Sequence, residues 1–180
     1  MPPTTSDATC VLVLADTHLD GSSLAKMPPE VWALADGADV ILHAGDVVDQ
    51  AVLDALAARA PVHAVLGNND RYLVDRLPEE LEVVLGGVRL AMVHDSGATA
   101  GRTRRMARRF PDADVVVFGH SHQPVVETSE GPMLLNPGSP THRRRQPVHT
   151  VGWLELEAGS VRRADIIEVG PLAAERELRG

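Results

Sequence analysis

At 180 residues, with 44% hydrophobic and 23% charged side chains, the chain has ordinary globular usage and the length of one domain, which excludes disorder and strains a two-domain reading. Lys and Arg number 17 against 25 Asp and Glu, a net charge of −8, so the basic footprint of a dedicated nucleic-acid binder is missing. Cys10 is the only cysteine, which excludes an intramolecular disulfide and a thiolate metal cage.

The opening MPPTTSDATC lacks the basic and apolar regions of a secretory leader, and no run approaches the ~18 apolar residues of a membrane span. Cytoplasmic residence is the expectation. A single domain over residues 1–180 is expected, with 1–9 and 171–180 as flexible tails. The apolar run CVLVLA, Cys10 to Ala15, predicts a buried strand that stops at Asp16. PPEVWALADG has the proline, acidic residues and apolar spacing of a short helix ending near Gly37. The pattern then repeats. ADVILHAGDVVD is a strand running into a Gly-Asp loop, and QAVLDALAARA is a helix with Val52, Leu53, Leu56 and Ala57 on one face. PVHAVLGNND is a third strand, breaking at Gly67, Asn68, Asn69 and Asp70. This alternation predicts right-handed crossovers and parallel pairing.

The second half changes character. LEVVLGGVRLAMVHDSG predicts a hairpin turned at Gly86-Gly87, with its outgoing strand ending at His94. RTRRMARRF predicts a helix whose Arg102, Arg104, Arg105, Arg108 and Arg109 form a solvated face. VVVFGHSHQP predicts a strand whose extended end projects His120 and His122 the same way, roughly 6.5–7 Å apart. On its own, His-x-His is equally a pair of solvated loop histidines. The remainder reads as meandering β-hairpins.

Sheets of α/β proteins bind ligands at the carboxyl ends of their strands. Five segments end there with metal-type residues: Asp16 and His18, then Asp46, Asn68, His94, and finally His120 and His122. Seven donors exceed what one ion usually takes from side chains, whereas two ions sharing a carboxylate use them all. Asp46 is the natural bridge, because its two oxygens can face two ions and it lies between the others in chain order. Mixed imidazole, carboxylate and amide donors suit Mn, Fe, Co, Ni or Zn, with Mn the first expectation.

The ordered set DTH, GDVVD, GNND, VHD and GHSH, followed by LNPGSP, resembles the calcineurin-like metallophosphoesterase superfamily over residues 11–139. Its small single-domain prokaryotic phosphodiesterase branch is the nearest pattern. The resemblance implies two mixed β-sheets packed as a sandwich with helices on the outer faces. It also implies Asp16, His18, Asp46 and His122 around one divalent ion, and Asp46, Asn68, His94 and His120 around the other. Ions roughly 3.5–4 Å apart clamp phosphate oxygens and acidify a bridging water, so the implied activity is hydrolysis of a small phosphoester, a diester first of all. Asp46, Asn68, Asn69 and His94 would stand at the reacting centre.

There are departures from the family pattern. Many relatives carry a histidine directly after the Gly-Asn, where this chain has Asn69, and Gly-His after the fourth-segment histidine, where it has Asp95-Ser96. Leu19-Asp20 also stands where relatives often have glycine. The seven donors are untouched, so these changes bear on substrate and leaving-group handling. Asn69 is expected to hydrogen-bond substrate, and Arg143 in HRRRQ is a candidate phosphate contact. His43 is expected to brace the ligands from behind, while His63 reads as structural, and His142 and His149 have no motif behind them. Asp49, Asp70 and Asp95 either orient ligands or sit solvated in loops. Two rival functions are a non-catalytic scaffold, which would be expected to lose ligands, and a nuclease, which wants a basic groove. The sequence points to no membrane partner and leaves room for a homo-oligomer.

Overall fold

The computed structural model describes residues 8–170. The expected tails therefore lie outside the described residues, apart from Ala8 and Thr9, and Thr9 already opens the first strand. That strand, β1 (Thr9–Leu14), runs parallel to β2 (Val40–His43), which runs parallel to β3 (Val62–Ala64). A 3-10 helix, Gly21–Lys26, which the sequence pattern does not announce, and α1 (Pro29–Asp36) connect β1 to β2. Proline at the first position of α1 removes an N–H that a helix start leaves unpaired anyway. The connection from β2 to β3 is α2 (Gln50–Ala57), capped by Asp49, whose side chain accepts from the Ala51 N–H, and buried through Val52, Leu53 and Leu56.

A second sheet follows. β4 (Glu80–Leu85) and β5 (Val88–Val93) form the expected hairpin, with Gly86 and Gly87 at φ 55° and 80°, the left-handed pair that a two-residue turn requires. After α3 (Arg102–Arg109), β6 (Val115–Val117) lies parallel to β5. β7 (Val125–Glu127) and β8 (Met133–Asn136) pair antiparallel, with β8 parallel to β6. The closing hairpin, β9 (His149–Glu157) and β10 (Ser160–Val169), returns to the first sheet alongside β1. The predicted meander is thus two hairpins in two different sheets, ordered β10-β9-β1-β2-β3 and β4-β5-β6-β8-β7.

Alternation along β1 sorts the core. Val11 and Val13 enter the layer between the sheets with Leu42, Leu90, Met92 and Val117, while Leu12 and Leu14 face the helices with Val31, Val52 and Leu56. On the other flank, Met106 and Phe110 pack on Val116 and Phe118. Two mixed sheets pack face to face with helices outside, as expected. Among the described residues, no helix is long and apolar enough to cross a membrane.

The basic face of α3 differs from its expected solvated state. Arg102 is buried, with its guanidinium carbon 4.8 Å from the Phe118 ring centroid and Nη2 donating to Thr99 Oγ1 at 3.2 Å. Arg105 donates to the Ser96 carbonyl at 2.7 Å and to that of Ala98, and Arg109 pairs with Glu80. Arg104, Arg108 and Arg109 stay exposed, as expected. Long apolar stems cover the core while their heads tie down the loop that follows β5.

Candidate metal centre

The five predicted segments lie after β1, β2, β3, β5 and β6, five of the six strands that the two sheets pair in parallel. Their loops converge, so the seven side chains come from both sheets to one place. The extended His-x-His does not survive. β6 stops at Val117, and His120 and His122 take φ values of 66° and 57°. The turn is closed by Ser121 N–H donating to the Gly119 carbonyl at 2.8 Å, and it aims the two imidazoles at different neighbours. Asp16, His18 and Asp46 are left-handed as well, at 55°, 45° and 57°. Such backbone costs about 1–3 kcal/mol per residue and persists only where the surroundings impose it.

One group forms around Asp16, whose carboxylate is wholly buried. Its Oδ1 lies 3.3 Å from His122 Nε2 and 3.9 Å from His18 Nε2, and those two nitrogens are 3.3 Å apart. The other forms around Asn68, whose Oδ1 is 3.1 Å from His94 Nε2 and 3.0 Å from His120 Nδ1. Asp46 stands between them, with Oδ2 3.4 Å from His18 Nε2 and 3.5 Å from His94 Nε2. Its near-equal reach to both sides is what a shared carboxylate needs.

The ring nitrogens on the far side fix the chemistry of the near side. His94 Nδ1 donates to the Ala44 carbonyl at 2.7 Å, and His122 Nδ1 donates to that of His142. A neutral ring so tied presents a lone pair on Nε2, and His94 aims it at the oxygens of Asp46, Asn68 and Asp16. Lone pairs facing carboxylates are relieved only by positive charge. Both Asp16 oxygens lack a hydrogen-bond partner among the described residues. This donor set fits a divalent cation.

A proton held between His94 Nε2 and Asp46 is the alternative relief, and it shapes the titration directions of the protein groups taken by themselves. Burial raises the Asp16 carboxyl to about 7, against the opposing charge of His94. Burial also acts on Asp46, but hydrogen bonds from His94 and Asn69 outweigh it and hold that carboxyl well below the usual range. For His94, burial is overcome by the bond to Asp46, the Ala44 carbonyl and the two carboxylates, which raise it. His18 is lowered by burial, and His122 is lowered by burial to about 4.

The braces behind the centre were partly legible. His43 is fully buried, its Nε2 3.1 Å from Thr17 Oγ1 between Asp16 and His18, while burial lowers its pKa to about 3. Asp70 does more than its sequence suggests: its carboxylate accepts from the N–H groups of Asp46 at 2.9 Å, Gly67 at 2.7 Å and Val48 at 2.7 Å. Gly67 has no room for a side chain, since a Cβ would lie 2.1 Å from the Asp46 nitrogen. Asn69 donates from its backbone to Asp46 Oδ1 at 2.8 Å and from its side chain to Oδ2 at 2.7 Å, so here it grips the shared carboxylate.

Arg143 Nη1 donates to the Gln146 carbonyl at 2.8 Å. The next residue reaches the cluster. Arg144 Nη1 donates to the His120 carbonyl at 3.3 Å. A cavity of about 340 Å³ opens against Asn68, His94 and His120, with Glu79, Asp95 and Arg109 also in its wall.

Residues 10–159 match the family model for the calcineurin-like phosphoesterase superfamily domain. A probable metallophosphoesterase of Methanothermobacter thermautotrophicus is 34% identical over 131 residues, which is 72% of this chain and 76% of that protein. The solved structure of an archaeal phosphodiesterase aligns with a TM-score of 0.67 at 20% identity, covering 88% of this chain and 100% of the other. Zinc-complexed Vps29 of Entamoeba histolytica aligns with a TM-score of 0.67 at 24% identity, covering 89% and 99%. At those identities the two structures speak for the shared fold. The matched span and the archaeal relative speak for more: this chain belongs to the calcineurin-like phosphoesterase superfamily.

Proposed function

We propose that the chain is a metal-dependent phosphodiesterase acting on a small phosphoester with two divalent ions. The observation that carries this reading is the buried Asp16 carboxylate, without a hydrogen-bond partner at either oxygen among the described residues and faced by imidazole nitrogens. Asp16, His18, Asp46 and His122 would hold one ion, and Asp46, Asn68, His94 and His120 the other, with manganese the expected metal ahead of Fe, Co, Ni or Zn. Divalent ions in such a site polarise phosphate oxygens and make water nucleophilic at neutral pH.

The chain's own contribution is placement. The Ala44 and His142 carbonyls stop the His94 and His122 rings from turning, Asn69 steadies the Asp46 carboxylate, and the cavity beside Asn68 is of a size for a small ligand. A complete donor set speaks against a non-catalytic scaffold, and a net charge of −8 against a nuclease. Cytoplasmic residence is part of the same reading.

At position 69 stands an amide that is given to Asp46 and offers no proton to a leaving group. Protonating an alkoxide leaving group is typically worth 10²–10⁴-fold, and an amide cannot supply that proton. The rate is therefore expected to fall steeply as leaving-group pKa rises, favouring aryl diesters over alkyl monoesters, and Asn69→His is expected to flatten the slope. The check is kcat/KM over a series of aryl and alkyl esters for both proteins. A flat dependence in the wild type, with chemistry rate-limiting, would mean that another acid serves.

Protein purified without chelator is expected to contain about two equivalents of divalent metal and to hydrolyse bis(p-nitrophenyl) phosphate with added Mn²⁺. Protein that takes up Mn, Fe, Co, Ni or Zn and cleaves no phosphoester with any of them would end the esterase reading.

A further inference from the structure

The loop after β8 is built into the centre from behind. Ser139 Oγ donates to the Asp16 carbonyl at 2.8 Å and accepts from the His142 N–H at 2.8 Å, and Thr141 Oγ1 donates to the Thr17 carbonyl. Asn136 Nδ2 donates to the Gly119 carbonyl at 2.9 Å and to Ser121 Oγ at 3.1 Å. The loop is thereby locked to the segment carrying Asp16 and His18 and to the one carrying His120 and His122.

Two exposed side chains stand on this frame. The His142 ring centroid lies 5.3 Å from that of His18 and 5.9 Å from that of His122. Its ring nitrogens make no hydrogen bond among the described residues. Arg144 commits one of its five N–H donors to the His120 carbonyl and leaves the others without a partner among the described residues. It also holds a left-handed φ of 51°, which a residue with a side chain keeps only when its surroundings impose it. Its charge reaches Asp16, His18 and His122.

We propose that Arg144 and His142 form an anion clamp, donating hydrogen bonds to the non-bridging oxygens of a phosphate ester seated beside Asp16, His18 and His122. A guanidinium fork matches two phosphate oxygens, and an imidazole donates from whichever nitrogen bears hydrogen, so the clamp does not depend on a charged His142. In a chain of net charge −8, local positive charge at the site favours the entry of an anion. The identity of the ligand as a substrate rests on the hydrolytic reading above; phosphate binding does not.

The test is calorimetric titration with inorganic phosphate, alongside kinetics on bis(p-nitrophenyl) phosphate, for wild type, Arg144→Met, Arg144→Lys, His142→Gln and Arg145→Met. Arg144→Met is expected to weaken phosphate binding and raise KM by about 10- to 100-fold, with kcat and metal content little changed. Arg144→Lys should recover part of the loss, His142→Gln should show a smaller one, and the neighbouring Arg145→Met should match wild type. Were Arg144→Met to melt early, Arg144→Lys, which keeps stem and charge but loses the fork, supplies the comparison. Wild-type phosphate affinity retained in both Arg144 variants overturns the clamp and leaves the esterase standing, and a wild type that binds no phosphate overturns it too. Weakened phosphate binding in a protein that cleaves no ester keeps the clamp and removes the esterase.

Discussion

Asp46→Asn is expected to lower kcat/KM by more than about 10³-fold and to empty the centre of metal, whereas His43→Ala should cost about 10- to 100-fold. The difference follows from what each side chain touches. Asp46 reaches His18 and His94 with one oxygen and takes both Asn69 donors, so the substitution removes a charge from two groups of ligands at once. The new amide would also set an NH₂ against one of those donors. The hydrogen bond that His43 makes to the loop goes to Thr17, one step removed from the candidate ligands. Kinetics with elemental analysis of both variants checks the ordering. Equal and mild losses would show that Asp46 is not shared.

Asp70→Ala is expected to be the most destabilising single change near the centre, by about 3–5 kcal/mol, although Asp70 is itself no candidate ligand. Its buried carboxylate satisfies three backbone N–H groups, and an unpaired buried donor costs about 1–3 kcal/mol, partly recovered where water enters. For a chain of this length the melting midpoint should drop by about 10 °C, and Asp70→Asn, which keeps one accepting oxygen, should fall between. Activity should fall with it, because the Asp46 nitrogen is one of the three donors. Thermal unfolding of the metal-depleted proteins separates this effect from lost ion binding. A midpoint within about 2 °C of wild type would show that other donors or water replace the carboxylate.

What could be read from the chain beforehand was whatever is local. Runs such as CVLVLA and ADVILH announce strands by composition, and each motif glycine sits where backbone passes close to a ligand, as Gly67 does against Asp46. The order of the five motifs was therefore legible, and so was the convergence of their residues. Long-range choices were not. Nothing in HTVGWLELE says that β9 will pair with β1 rather than extend the second sheet, because alternation fixes the faces of a strand and not its neighbours. The left-handed turns at His120 and His122 were hidden for a related reason, since residues other than glycine adopt them only under tertiary constraint. Within HRRRQ, composition could not separate Arg143 from Arg144, as the two differ only in the direction that the loop gives them. Asp70 looked like any loop carboxylate until its three donors were in view.

Because the candidate ligands hang from β1, β2 and β3 on one side of the sandwich and from β5 and β6 on the other, an ion bound among them would also act as a staple between the two sheets. An occupant that spans both contributions binds only when the sheets are docked, so by mass action it disfavours every partly opened form. At a hundredfold excess over its dissociation constant it adds about 2.7 kcal/mol to the docked state. The layer between the sheets holds the aliphatic side chains of Val11, Leu42, Leu90 and Val117, and apolar packing of this kind has no directional preference of its own. Polar links between the halves stand at their ends: Gly159 N–H donates to the Gly86 carbonyl at 2.9 Å between the two hairpin turns, and the five loops meet at the candidate centre. Cofactor supply would in this architecture bear on mechanical integrity as well.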